Sequence, residues 1–250
     1  MNYEQLRALA PAAGQAPDFA ACLAAFPALE LAKTTPQDPR YHGEGDVWTH
    51  TQRVCRALTE LEAFRAMDAG SREVLSLAAL LHDIGKIRCT RTENGRLVSP
   101  RHGPVGAQMA RSLLWRDMGL CGDLKRQRLR EAVCLLIKYH TRPLHFWEDS
   151  ETTLLRLASN GSLTPRFTLE ALCLLAEADR LGSVAADNPE MLERIELGQE
   201  LCREAGCYEG PYPFASSHTR RRLFAGGAVW KDQDLYDDTW GEVKIGRAHV

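Results

Sequence analysis

The feature that most constrains the fold is an apolar helical run that ends in a histidine and an aspartate. Residues 77–81 are all leucine or alanine, and His82, Asp83, Gly85 and Lys86 follow within five positions. A buried imidazole and carboxylate cost several kcal/mol when they have no partners. Both groups are ordinary metal ligands, so a bound ion would offset that cost. The segment therefore predicts a buried helix whose end reaches a metal site.

The rest of the chain is also patterned for helices. Apolar residues recur at helical spacing over about 47–64, and Ser71 is predicted to cap a second helix that ends at Gly85. Val98 is expected in a short turn or strand. The sequence predicts an all-α fold. Further helices are predicted over about 104–117, 122–140, 151–159, 168–182 and 188–205.

Two further candidate ligands lie on other predicted helices. Taken alone, a helical histidine such as His50 is more often a core or surface residue than a metal ligand. An aspartate near a helix end, such as Asp179, is more often a capping or solvated residue. Their order with His82 and Asp83 is harder to obtain by chance, because the separations of 32 and 96 residues place the ligands on three helices. We therefore predict that these four residues hold a metal. The mixed nitrogen and oxygen set suits Mn, Fe, Co, Ni or Zn without choosing between them, as one or two ions.

This ligand order resembles the HD superfamily of metal-dependent phosphohydrolases. The resemblance covers about residues 40–185, and the Gly85-Lys86 pair that follows Asp83 adds to its specificity. It implies an HD-domain helical bundle around a metal site, with His50, His82, Asp83 and Asp179 as the ligands.

A narrower resemblance lies in the flanking segments. Residues 41–50, 82–86 and 101–106 are similar to the HD region of CCA-adding tRNA nucleotidyltransferases. With residues 34–40 included, the stretch resembles the N-terminal HD phosphoesterase domain of bacterial enzymes in which a P-loop polynucleotide kinase follows. In that family the HD domain removes 2′,3′-cyclic, 2′- and 3′-phosphates from nucleic-acid ends.

The resemblance implies a phosphoesterase that acts on nucleic-acid 3′ ends, in RNA or tRNA repair or processing, through metal-activated water. A hydrolase of free nucleotides shares the same metal site and remains an alternative. A non-catalytic, metal-bound RNA-binding module is the second alternative.

Other polar residues near the motifs are candidates for the second metal and for the phosphate. The resemblance implies a second metal site at His102 and His140, because additional histidines occupy comparable places in the order of HD enzymes with two metals. Phosphate contact or protonation of the leaving oxygen are the other roles expected for these two residues. Lys86, Arg101 and Arg142 are expected to bind the substrate phosphate, with Lys86 the foremost candidate. Catalytic roles are expected for Asp83, Lys86, His102 and His140.

Several further polar residues are interpreted as solvated. This applies to His42, to Arg180 and to the basic runs at 124–130 and 220–222. The formal net charge of −2 provides no overall attraction for a polyanion, so nucleic acid would have to meet a local basic patch. Binding through such a patch would weaken steeply with salt.

The chain is predicted to have three parts. Residues 1–45 form a helix and an extended arm that packs on the HD domain, and residues 46–208 form that domain. Residues 209–250 are interpreted as a linker or tail that resembles the start of a kinase domain. The sequence contains no G-x-x-x-x-G-K-[ST], so a kinase partner, covalent or separate, is expected outside this chain.

The cysteines and the hydropathy suggest where the protein resides. Eight cysteines occur without a C-x-x-C pair, which is typical of reduced thiols in a cytoplasmic protein. No apolar run approaches the ~18 residues that suggest a membrane-spanning helix. We therefore expect a cytoplasmic protein with no membrane partner.

Overall fold

The structure is a computed structural model that describes residues 3–11, 14–162 and 164–209. The tail beyond residue 209 and the basic run at 220–222 lie outside the described residues. The α-helices are α1 (Tyr3–Arg7), α2 (Phe19–Ala25), α3 (Val47–Glu60), α4 (Glu62–Ala66), α5 (Ala69–Leu81), α6 (Lys86–Cys89), α7 (His102–Arg116), α8 (Leu124–Tyr139), α9 (Glu151–Ala158), α10 (Leu169–Gly182) and α11 (Asn188–Glu204). The 3-10 helices are Pro27–Thr34, Arg142–Glu148 and Ser159–Ser162. The all-α prediction is confirmed.

Within this part of the chain, the β-structure is a small hairpin and an isolated bridge. Strands β1 (Arg91–Glu93) and β2 (Arg96–Val98) pair antiparallel, with Glu93 opposite Arg96. The two-residue turn between them has positive φ at Asn94 (51°) and Gly95 (75°), as tight hairpins require. The structure thus places Val98 in a strand, next to the start of α7.

The core forms where α3, α5, α8 and α10 meet. Helix α3 packs against α5 and α10, and α8 packs against α5 and α7. On α3 the buried residues Val47, Val54 and Leu58 recur at helical spacing, so one apolar stripe faces the core. Helix α5 is buried along most of its length, consistent with its central place. No described helix has the length and apolar character required to cross a bilayer.

The second helix begins and ends earlier than the sequence predicted. Asp68 is its N-cap, and its carboxylate accepts hydrogen bonds from the backbone N–H groups of Gly70 and Ser71. The predicted capping role of Ser71 is wrong, because a carboxylate three residues earlier already satisfies those donors. Helix α5 ends at Leu81, and tight turns carry the chain to α6. The helical spacing of the apolar residues gave no sign that the helix ends before Gly85.

The segment before α3 folds back beside that helix. Helix α2 packs on the 3-10 helix Pro27–Thr34, which in turn packs on α3. An isolated antiparallel bridge joins Pro36 to Asp46, and the ring of Phe19 meets the edge of Trp48 at 5.9 Å. These contacts hold residues 37–45 next to the start of α3, where His50 lies.

Candidate metal centre

Six of the residues singled out in the sequence meet inside the helical bundle. They come from five separate helices or their ends: His50 on α3, His82 and Asp83 directly after α5, His102 at the start of α7, His140 directly after α8, and Asp179 on α10. The side chains form two imidazole pairs with one carboxylate between them.

The first pair is His50 and His82, whose Nε2 atoms are 3.3 Å apart. Oδ1 of Asp179 lies 2.9 Å from the Nε2 atom of His50 and 3.8 Å from that of His82. Oδ2 of Asp83 lies 3.6 Å and 3.3 Å from the same two atoms. The predicted quartet is therefore brought together, and His50, His82 and Asp83 form a cluster that could hold a metal ion.

The second pair is His102 and His140, whose Nε2 atoms are 3.2 Å apart. The other oxygen of Asp83, Oδ1, lies 3.5 Å from the first and 3.8 Å from the second. These three residues form another cluster that could hold an ion. Asp83 thus directs one oxygen to each imidazole pair, an arrangement suited to a carboxylate that bridges two cations.

The hydrogen bonds of three imidazoles leave their Nε2 atoms available to a cation. The Nδ1 atoms of His82, His102 and His140 each lie 2.8 Å from the backbone carbonyl three residues earlier. These bonds assign the ring proton to Nδ1 and leave the lone pair on Nε2. The lone pairs of His102 and His140 face each other and repel, and a cation between these two rings would remove that repulsion. Oδ1 of Asp83 is buried and accepts no hydrogen bond from any group in the described part of the chain.

The protonation states also suit metal binding. Burial raises the pKa of Asp83, but Lys86 and the nearby imidazoles outweigh burial and hold it well below its usual range. Burial, together with the neighbouring His102 and His82, lowers the pKa of His140 to about 3. Burial is also the largest effect on His102, whose pKa is lowered. An ionised carboxylate and neutral imidazoles are the forms that ligate metals.

Two residues beside the ligands were missed by the sequence analysis. Oε1 of Glu44 lies 2.7 Å from Nδ1 of His50 and 3.0 Å from Nδ1 of His42, and its Oε2 accepts a 2.7 Å bond from the backbone N–H of Val184. The prediction that His42 is solvated is therefore wrong. Gly45, with φ of 108°, lets the chain turn directly after Glu44.

The Lys86 ammonium is occupied by neighbouring side chains. Its Nζ lies 2.7 Å from Oε1 of Gln37, 2.7 Å from Oδ2 of Asp83 and 3.2 Å from Nε2 of His42. An ammonium has three N–H groups, so these contacts use all of them. Lys86 neutralises the buried Asp83, and its contact with a substrate phosphate stays a prediction.

The three arginines have different surroundings. Arg101 is exposed directly before His102 and has a left-handed backbone (φ 59°). Arg142 forms an ion pair with Asp149. Arg180 is buried, and its guanidinium donates to Asp187 at 2.7 Å, so its predicted solvation is wrong. The chain between α10 and α11 folds back over Arg180, so that Asp187, seven residues later, meets its guanidinium.

The fold and the site together define a class, a helical bundle with a buried histidine and aspartate metal centre. The sequence profile of the HD domain matches residues 47–182, more than half of the chain. The chain belongs to the HD domain family, whose members are generally phosphohydrolases that bind divalent metals. No curated protein and no solved structure matches the chain significantly.

Glu44→Gln is expected to weaken metal binding by about 10- to 100-fold while the helical content stays unchanged. The carboxylate contacts two imidazole N–H groups and one backbone N–H. An amide must turn its own N–H₂ toward one of these donors, which disorders His50. Competition with a chelating indicator measures the affinity, and Glu62→Gln, an exposed change on α4, is the control. Equal affinity in both variants would show that Glu44 does not position the ligand.

Metal uptake at pH 7 is expected to release about one proton from His50. Burial lowers the pKa of His50, but hydrogen bonds to Asp179 and Glu44 outweigh burial and raise it to about 9 in the metal-free protein. A metal must displace that proton, so affinity should rise about tenfold per pH unit up to pH ~9. Because this pKa exceeds the unfolded value, protonated His50 stabilises the metal-free fold below pH ~6.5, and that stabilisation disappears as the pH rises through about 9.

The measurement is a calorimetric titration with Zn²⁺ in buffers of different ionisation enthalpy. We expect the His50 proton to be released almost fully at pH 7 and only in small part at pH 9.5. Equal proton release at the two pH values would contradict the assignment to His50.

Proposed function

We propose that this chain is a phosphoesterase that hydrolyses 2′,3′-cyclic, 2′- or 3′-phosphates at nucleic-acid ends. The observation that carries the proposal is the Asp83 carboxylate, which faces His50 and His82 with one oxygen and His102 and His140 with the other. Together with Asp179, these residues would hold one or two ions of Mn, Fe, Co, Ni or Zn. The family assignment indicates metal-dependent phosphohydrolase activity, and the nucleic-acid end is our addition to it.

A divalent metal held at this centre supplies an activated water and polarises a phosphoryl oxygen. The residues of the chain keep the centre in the required charge state. Lys86 stabilises the ionised form of Asp83, and Glu44 fixes the ring of His50. The lowered pKa values of His102 and His140 favour their roles as neutral ligands over proton donation to the leaving oxygen.

The partly exposed edge of the centre indicates where a phosphate would approach. The side chains of His102, His42 and Asp179 are 20%, 16% and 15% exposed. Those of His50 and His140 are 0% and 2% exposed. A substrate would therefore reach the centre from the edge formed by the three partly exposed side chains.

Two exposed residues next to this edge suit the end of a nucleic-acid strand. Tyr41, directly before His42, is 48% exposed and offers an aromatic face on which a terminal base can stack. The exposed Arg101 precedes His102, and its guanidinium has no partner among the described residues. We propose that Arg101 binds a phosphate of the strand, with Lys86 and Arg142 in supporting roles.

The motif resemblance supports the same substrate class. Residues 41–50 and 101–106 carry the similarity to enzymes that process tRNA and RNA ends. The same similarity leads us to propose a P-loop kinase, covalently attached or separate, as a partner in end healing.

A substrate panel on the metal-loaded protein tests the proposal. We expect turnover of 2′,3′-cyclic nucleotides and of oligonucleotides that end in a 3′-phosphate, and little turnover of nucleoside triphosphates. Turnover of triphosphates alone would overturn the end-healing function and favour a hydrolase of free nucleotides. Stoichiometric metal and tight RNA binding without any hydrolysis would instead support the non-catalytic module.

A further inference from the structure

A second cavity lies at the far end of the bundle from the metal centre. We call it the basic cavity; its volume is about 750 Å³, and it is lined at the starts of α5 and α8, by α1 and by residues 165–166. His82 and His140 follow the opposite ends of α5 and α8. At 1.5 Å per residue, helices of this length separate the two sites by roughly 20 Å. The basic cavity is therefore distinct from the metal centre, and its interpretation does not depend on the proposed function.

Two of the arginines in the wall of the basic cavity are already paired with carboxylates. The guanidinium of Arg166 lies 2.8 Å from Asp68, and the guanidinium of Arg7 lies 3.7 Å from Glu73. Within each pair the positive and the negative charge neutralise each other, and the pairing holds these side chains in the wall. Any excess charge in the basic cavity must come from other residues.

Lys125 and Arg128 supply that excess charge. Both line the basic cavity, both are exposed, and neither has a hydrogen-bond or ion-pair partner in the described parts of the chain. They are three residues apart in the first turns of α8, so their side chains share one face of the helix. The positive end of the α8 dipole adds to their charge. The basic cavity therefore carries two uncompensated cations that point toward the same space.

The remaining wall is apolar. Leu124 lines the basic cavity with 59% of its surface exposed, beside Leu129 and Pro165. An exposed leucine next to two cations suits a ligand with an anionic part and a ring or other apolar part. The volume also lies within the range of small-molecule sites, about 300–1,000 Å³.

We infer that the basic cavity binds a phosphorylated organic molecule of nucleotide size. Its phosphates would contact Lys125 and Arg128, and its organic part would lie against Leu124 and Pro165. Phosphate oxygens match lysine and arginine donors, and charge-assisted hydrogen bonds of this kind are stronger than neutral ones.

The test measures binding of a fluorescent, non-hydrolysable ATP analogue to the metal-loaded full chain by anisotropy. The variant is Lys125→Glu/Arg128→Glu. The matched control is Arg116→Glu/Arg126→Glu, which changes the net charge equally at positions outside the wall of the basic cavity. We expect the wild type and the control to bind alike and the variant to lose at least about tenfold in affinity, since two charge-assisted contacts are lost.

Additional measurements distinguish a lost ligand contact from a lost fold. Lys125→Ala/Arg128→Ala should show the same direction of change, and melting curves verify that each variant is folded. Phosphoesterase turnover should be equal in all proteins, because none of the changed residues lies at the metal centre. Equal binding by the variant, no binding by the wild type, or displacement of the analogue by the phosphoester substrate would overturn the inference. Inorganic phosphate that competes as well as ATP would overturn the organic part of it.

Discussion

Asp83→Asn is expected to lower phosphoesterase turnover by roughly 10³-fold or more while the helical fold is retained. One carboxylate faces both imidazole pairs, and an amide offers them one neutral oxygen and one N–H₂ group. The N–H₂ group would face one of the imidazole pairs, so a metal held at either pair would lose an anionic ligand. A metal centre contributes several kcal/mol to the transition state, and each 1.36 kcal/mol is a factor of ten. Metal analysis should show fewer ions per chain than in the wild type.

The isosteric change separates chemistry from folding. Asp83→Ala removes the carboxylate that pairs with the Lys86 ammonium and leaves that buried charge without a counter-ion. This change is expected to destabilise the fold more than Asp83→Asn. Circular dichroism and melting curves measure this difference. Asp117→Asn, an exposed change at the end of α7, should leave turnover and metal content unchanged. Near wild-type turnover in Asp83→Asn would remove Asp83 from the catalytic centre.

The second large effect is expected from Gly85→Ala. A Cβ atom on Gly85 would lie 2.0 Å from the carbonyl oxygen of His102 and 2.6 Å from the amide nitrogen of Gly106. Both are backbone atoms of α7, which cannot rotate away as a side chain can. Helix α7 must therefore shift and carry His102 away from Asp83. We expect a loss of about 1–3 kcal/mol or more in the free energy of unfolding.

The measurements are a thermal melt and the number of metal ions per chain. The melting temperature should fall by several degrees, at about 2–4 °C per kcal/mol for a chain of this size. The number of metal ions per chain should also fall, because His102 moves away from Asp83. Gly122→Ala is the control, because its Cβ would meet only a guanidinium nitrogen of Arg126 at 3.6 Å. A Gly85→Ala protein with unchanged melting and full metal content would refute this account of the close contact.

The candidate ligands could be grouped from the sequence because each is a polar residue attached to an apolar helical pattern. His82 and Asp83 end a run of leucine and alanine, and Asp179 lies late in the apolar helix α10. A metal is the simplest way to satisfy such groups in a core, so residue type and order were enough to group them. The second pair, His102 and His140, was assigned to the metal site only from the order of these residues along the sequence.

The groups around the ligands were not predictable in the same way. Glu44 and His42 lie in an irregular loop, where no periodicity shows which side chain faces the core. Their contacts depend on the chain turning at Gly45 and on a hydrogen bond from the Gly43 N–H to the Val184 carbonyl. Residues 141 positions apart meet there, and such a meeting is a property of the completed fold.

The order of the ligands along the chain also governs how the centre is assembled during synthesis. Asp83, His102 and His140 leave the ribosome before Asp179. All ligands of the second imidazole pair are therefore synthesised while the first pair, His50 and His82, still lacks the Asp179 carboxylate. The complete ligand set therefore exists only after α10 has been translated and has docked on α3.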